Sequence, residues 1–180
     1  MSLRSIVSIL LIGGALSLAA PPAQAAVPTR AQLASAVYAV EYEQVGGAHY
    51  GYYLRKYPPQ YLLTRQIDWS TDGCSVPRAL LGFPKLGWVL NYYSGTFHES
   101  CVRHDFGYRN YGSGNSIGLR LDPTEARRKT IDNRFHANMD IQCRSRFAGI
   151  WRVPQLEACY AAGKVYYEAV RFRGHQAFFG

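Results

Sequence analysis

The chain has no C-x-x-C pair, no internal repeat, no low-complexity tract and no long alternation of apolar and polar residues. The missing pair argues against a structural zinc site. The missing alternation argues against a sheet of half-buried strands. Acidic residues are scarce, 12 Asp and Glu against 20 Lys and Arg, for a formal net charge of +8. The basic residues are scattered, with only Arg127-Arg128-Lys129 clustered. No nucleic-acid motif accompanies them, so nucleic acid is not an expected partner. A basic exported protein meets anionic surfaces such as lipid headgroups or cell-wall polymers, although charge of this kind also serves solubility. After the first residues, no segment is long and apolar enough to span a bilayer.

Those first residues read as an export signal. Arg4 precedes an apolar run from Ile6 to Ala20, and Ala23-Gln24-Ala25 offers a small-residue cleavage site. The run holds Gly13 and Gly14 and stops at Pro21-Pro22, which disfavours an anchor. The expected organisation is therefore a signal over residues 1–25 and one secreted domain over 26–180. All four cysteines, Cys74, Cys101, Cys143 and Cys159, fall in that domain. An even count in an exported chain implies two disulfides. Three pairings are possible. The sequence-local one, Cys74 with Cys101 and Cys143 with Cys159, is preferred because each bond would tie a loop to a neighbouring helix. Each would contribute about 3–4 kcal/mol by the chain-entropy model.

Helix signals are plain along the rest of the chain. Thr29-Arg30-Ala31-Gln32 has capping-box form and opens a helix to about Glu43, stopped by Gly46-Gly47. The tyrosine-rich stretch from Tyr50 to Tyr61 is undecided between short helix and loop. Ile67 to Pro77 is polar and turn-like. Leu80 to Gly95 mixes large apolar residues with Gly82, Pro84 and Gly87 and reads as a loop. Thr96-Phe97-His98-Glu99 reads as the capping box of the next helix. Asp122-Pro123-Thr124-Glu125 suggests Asp at N-cap and Pro at N1 of a helix running to about Cys143, with Ile131, Phe135, Met139 and Cys143 on its apolar side. A last helix runs from about Pro154 to Arg171, with Cys159, Tyr166, Tyr167 and Val170 on or near its inner face. The fold class is mainly α: a disulfide-pinned helical bundle with two antiparallel long helices.

The chemistry concentrates in Cys101-Val102-Arg103-His104-Asp105-Phe106-Gly107-Tyr108-Arg109-Asn110-Tyr111. Cys101, His104 and Tyr108 share one helical face. Asp132 lies beside Ile131 at the border of the next apolar face. It either salt-bridges Arg128 at the surface or, if the two long helices pack antiparallel, meets His104. In the second case it accepts from one ring nitrogen and leaves the other free to take a proton from water. The polar loop Asp68-Trp69-Ser70-Thr71-Asp72-Gly73-Cys74 adds a carboxylate and a backbone carbonyl, which together with Asp105 suit a hard cation. Asp72 could equally cap a turn, since Asp-Gly is a common turn dipeptide. A base beside a Lewis acid suits attack of water on an ester. His49, His98, His136 and His175 lack such a setting and read as surface or packing residues. Arg103 and Arg109 read as salt-bridge or phosphate-contacting residues, with no basis for choosing.

With Asp-x-Cys before it, and with Ile131-Asp132, Phe135, Met139, Cys143, Cys159 and Tyr166-Tyr167-x-x-Val170-Arg171 after it, this segment resembles the secreted phospholipases A2 of bacteria and fungi, the prokaryotic phospholipase A2 family. The likeness runs from about Ile67 to Arg171. It implies calcium-dependent hydrolysis of the sn-2 acyl ester of glycerophospholipids by a monomer that touches phospholipid membranes or micelles peripherally. His104 matches the general base and Asp132 its orienting carboxylate. Asp72, Gly73 and Asp105 match the calcium ligands, and the four cysteines match two disulfides in the local pairing. The apolar stretch from Arg78 to Gly95, with Leu86 and Trp88, is either a lipid-contacting rim or a cover for the core. A catalytically inactive lipid- or cell-wall-binding module on the same scaffold is the alternative; loss of His104, Asp105, Asp132 or Asp72 would favour it, and all four are present. A metal-dependent phosphohydrolase of the HD type would need further ligating histidines and aspartates, and a nuclease rests on charge alone.

Overall fold

The computed structural model describes residues 27–47, 56, 66–74 and 84–180, the side chains of residues 84–86 excepted. The expected signal, most of the tyrosine-rich stretch and residues 75–83 lie outside these. Helix α1 spans Arg30–Tyr42, α2 Pro84–Tyr111, α3 Glu125–Arg146, α4 Val153–Arg173 and α5 His175–Phe179, with a 3-10 turn at Ile150–Arg152 before α4. No strand occurs among the described residues, and no described helix is long and apolar enough to cross a membrane.

The Thr29 box forms as expected: its hydroxyl accepts from the Gln32 amide and the Gln32 side chain returns to the Thr29 amide. Two other start signals are displaced. Thr96 does not open a helix; it sits inside α2, which begins at Pro84 and has 28 residues. The expected loop up to Gly95 is therefore helical from Pro84 onward. Leu90, Tyr93 and Phe97 recur at helical spacing and are all buried, so packing overrides the glycines and the local capping motif. Glu99, the supposed partner in that box, instead accepts from the Gly46 amide and from Arg103. At α3 the N-cap is Thr124, whose oxygen accepts from the Arg127 amide. Asp122 stands two residues earlier and accepts from the Thr124 hydroxyl and from Arg127. The ends of α3 and α4 lie a few residues beyond the expected Cys143 and Arg171.

Contacts between α2 and α3 run in opposite order along the two helices: Tyr93 meets Phe147, Ser100 meets Gln142 and His104 meets Asp132. The same holds for α3 and α4, where Cys143 joins Cys159, Asn133 meets Tyr167 and Asp132 meets Arg171. Each pair is thus antiparallel. One apolar core, with Phe97, Met139 and Tyr166, fills the space among these three helices. A second, with Leu33, Val37, Phe106, Ile131 and Phe178, seals α1 and α5 against the other end of α2. Arg103, only 4% exposed, caps α1 by donating to the Val40 carbonyl and pairing with Glu43. It is a structural cation, not one waiting for a phosphate.

The disulfides pair locally, Cys74 with Cys101 and Cys143 with Cys159. The C-terminal segment is fastened by the Ser113 and Gly114 amides, which donate to the Phe178 carbonyl. Gly112 permits this approach: a Cβ there would lie 2.3 Å from the Phe178 oxygen and 2.7 Å from the Tyr108 oxygen. Gly112→Ala is expected to lower stability by about 1–3 kcal/mol through this overpacking. A thermal unfolding midpoint equal to the native one would show that the two segments do not meet this closely.

Candidate active site

The site lies where the two cores meet. His104, 8% exposed, projects from α2 and Asp132, fully buried, from α3. His104 Nε2 and Asp132 Oδ1 are 2.8 Å apart. The ring stacks obliquely against Tyr108 and Phe135, with centroids 4.2 and 4.6 Å away. Of the two sequence readings of Asp132, the one that meets His104 holds; Asp132 also lies 3.4 Å from Arg128, but that contact is buried and not at the surface. Tyr108 donates to Asp132 Oδ1 at 2.7 Å and Arg171 to Oδ2 at 2.7 Å. Burial alone would push the Asp132 carboxyl up, but His104 and the Arg171 and Tyr108 hydrogen bonds outweigh it and hold the group below its ordinary range. Burial and the Asp132 charge push the Tyr108 phenol far up, so it stays a donor.

The 66–74 loop runs antiparallel along α2 and is tied to it at successive points. Asn110, fully buried, accepts from the Asp68 amide at 2.9 Å and donates to the Asp68 carbonyl at 2.8 Å. Arg109 donates to the Ser70 carbonyl. The Thr71 hydroxyl and the Asp72 amide both donate to Asp105 Oδ2, at 2.6 and 3.1 Å. Cys74 then joins Cys101. This brings Asp72, Gly73, His104 and Asp105 to the wall of one cavity of about 220 Å³, closed on its other sides by Phe135, Tyr166, Arg173 and Ala177.

The donor set on that wall suits a hard cation. Burial raises the Asp105 carboxyl to about 6, and a hydrogen bond with the Asp72 side chain adds to the rise, while Thr71 opposes it. Two carboxylates held this close gain from a positive charge between them. Arg109 supplies part of it now, at 3.6 Å from each. Gly73 adds a backbone carbonyl and holds a left-handed φ of 71°. Among the described residues no three His, Cys, Asp or Glu side chains gather as a cage. A cation here would accordingly rely on two carboxylates, the carbonyl and water, which is a calcium-like set.

Of the remaining histidines, His136 stacks on Tyr167 and His175 packs against Phe179, while His49 lies outside the described residues. The sequence reading gave no role to Tyr108, Asn110 or Arg171, and saw Arg128 only as a surface partner of Asp132. For Tyr108 a signal existed, since it lies one turn from His104 on the same face. Asn110 and Arg171 act across long separations that periodicity does not reveal.

A family model described as "Prokaryotic phospholipase A2" matches residues 52–174, starting ahead of the Ile67 from which the motifs were read. A protein named "Secretory phospholipase A2" from Beauveria bassiana (strain ARSEF 2860) is 33% identical over 109 residues, 60% of this chain and 44% of the relative. Another of that name from Arthroderma benhamiae (strain ATCC MYA-4681 / CBS 112371) is 36% identical over 106 residues, 58% of this chain and 57% of the relative. The chain thus spans about half the length of these curated relatives.

Asn110→Ala is expected to leave the Asp68 amide and carbonyl buried without partners, at a cost of about 1–3 kcal/mol. Thermal unfolding reads the loss, and hydrogen exchange at the Asp68 amide should quicken. Unchanged protection of that amide would mean the loop is held by other ties.

Proposed function

The chain belongs to the prokaryotic phospholipase A2 family, and from that premise we propose that it is a secreted, calcium-dependent hydrolase of the sn-2 acyl ester of glycerophospholipids. The observation that carries this reading is the buried His104–Asp132 hydrogen bond on the wall that also bears Asp72, Gly73 and Asp105. Export is supported by the signal-like start, by two disulfides and by the names of the fungal relatives.

With Asp132 ionised, the His104 proton sits on Nε2 and Nδ1 is free to act as base. Nδ1 takes a proton from a water in the cavity as its oxygen bonds to the ester carbonyl carbon. The tetrahedral adduct then breaks its bond to the glycerol oxygen, which leaves with the proton returned from Nδ1. The products are a fatty acid and a lysophospholipid. Asp132 steadies the transient imidazolium, and Tyr108 and the arginines keep Asp132 ionised. Asp72, Asp105 and the Gly73 carbonyl would hold calcium, which when bound polarises the ester carbonyl and offsets charge developing on its oxygen.

The lipid partner is expected at the cavity mouth. Phe172 is 81% exposed, and the guanidinium of Arg173, which lines the cavity, stands 5.6 Å from its ring. An exposed ring beside a cation suits a phospholipid interface. Trp88 is also exposed, at 70%, but sixteen residues of helix turn it about 160° from His104, to the other side of α2.

Three measurements follow. Release of fatty acid from phosphatidylcholine should stop in excess chelator and return with calcium; persistence in chelator would exclude the calcium reading. His104→Ala should abolish turnover yet bind calcium normally, and Asp132→Asn should fall less far because the base remains; substantial turnover by folded His104→Ala would overturn the mechanism. Phe172→Ser should slow action on vesicles far more than on dispersed short-chain lipid, whereas Trp88→Ser should not alter that ratio. Equal losses on both substrates would remove Phe172 from docking.

A further inference from the structure

The two oxygens of Asp132 are allotted to different tasks. Oδ1 takes His104 Nε2 at 2.8 Å and the Tyr108 hydroxyl at 2.7 Å. Oδ2 has one short partner, Arg171 Nη1 at 2.7 Å, and one long one, Arg128 Nη1 at 3.4 Å. The arginines differ in what else they hold. Arg128 spends its best contacts elsewhere, on Glu125 at 2.6 and 2.9 Å and on the Val170 and Arg171 carbonyls at 3.2 and 3.3 Å. It chiefly closes the end of α4. Arg171 is a fork: the second prong, Nη2, lies 2.8 Å from Glu125 Oε1. Glu125 is half exposed, and its hydrogen bonds with Arg128 and Arg171 hold its carboxyl down at about 2.

We propose that Arg171 is a positioning residue for the hydrolytic reaction, fixing the plane of the Asp132 carboxylate and, through it, the ring of His104. The inference rests on the hydrolase reading above. Without Arg171, Oδ2 would keep only the long Arg128 contact, and a carboxylate held firmly at one oxygen can still rotate about its Cβ–Cγ bond. A planar guanidinium bonded to the other oxygen and anchored on Glu125 removes that freedom. Arg171 also arrives from α4, while Asp132 lies on α3 and His104 on α2. The fork therefore makes the orientation of the base depend on the register of the third helix. Its action is indirect: Asp132 stands between it and the imidazole.

The test compares native protein with Arg171→Met and Arg171→Lys on phosphatidylcholine mixed micelles with calcium. Four quantities are read: kcat, KM, calcium affinity and the proton NMR resonance of the His104 Nε2–H. Arg171→Met should lower kcat roughly 10- to 100-fold, the range expected for small misplacement of a reacting group. KM and calcium affinity should hold within about twofold, and the N–H resonance should shift or broaden. Arg171→Lys supplies one donor in place of the fork and should recover part of the loss. A native kcat with an unmoved resonance in Arg171→Met overturns the proposal, as does a loss confined to KM or to calcium affinity. If the methionine variant does not fold cooperatively, the lysine variant decides: a several-fold fall in kcat with a moved resonance supports the role, and native values for both refute it. If the native protein hydrolyses no phospholipid, the hydrolase reading fails, and the resonance alone still shows whether Arg171 orders the His104–Asp132 bond.

Discussion

A fully buried carboxylate is the constraint around which this bundle is arranged. An unpaired charge at the depth of Asp132 would be very unfavourable. Its compensation comes from three helices: His104 and Tyr108 on α2, Arg128 on α3 itself and Arg171 on α4. These bonds can form only if α2 and α4 both run antiparallel to α3 at one particular register. The polar centre therefore specifies a packing that the apolar residues around it would tolerate in several variants.

Two apolar cores flank that centre, and each has a separate task. The core of Phe97, Met139 and Tyr166 holds the three long helices together, with Cys143–Cys159 at its far end. The core of Phe106, Ile131 and Phe178 presses α1 and α5 against the opposite end. His104 sits between them with aromatic rings on two sides. Such walls limit water at the imidazole without removing the cavity on its open side.

Much of this was legible in the sequence because the signals were local. The Thr29 box, the four-residue recurrence of Ile131, Phe135, Met139 and Cys143, and the even cysteine count each describe a neighbourhood of a few residues. So does the His104-Asp105 pair. The errors came where a local signal met a stronger tertiary demand. Thr96-Phe97-His98-Glu99 has the right letters for a helix start, but burial of Leu90, Tyr93 and Phe97 carries the helix through it. Asp122 lost the cap position to Thr124, two residues on, and became a partner of the capping residue instead. The long-range contacts of Asn110 and Arg171 had no local signal, since Asp68 and Asp132 lie 42 and 39 residues away in the chain.

The ties of the 66–74 loop are not all of one kind. Asp68 is held by the buried amide of Asn110, and the middle of the loop by Asp105; the far end is held by the sulfur bridge from Cys74 to Cys101. His104 and Asp132 are joined directly by a hydrogen bond between packed helices, although Cys143–Cys159 also ties α3 to α4. The two halves of the site therefore differ in their chemical tolerance. Reduction of Cys74–Cys101 would remove a covalent tie from the segment carrying Asp72 and Gly73, whereas the direct His104–Asp132 contact contains no sulfur. The wall that carries Asp72 and Gly73 is thus the part of the site most directly exposed to thiol redox state.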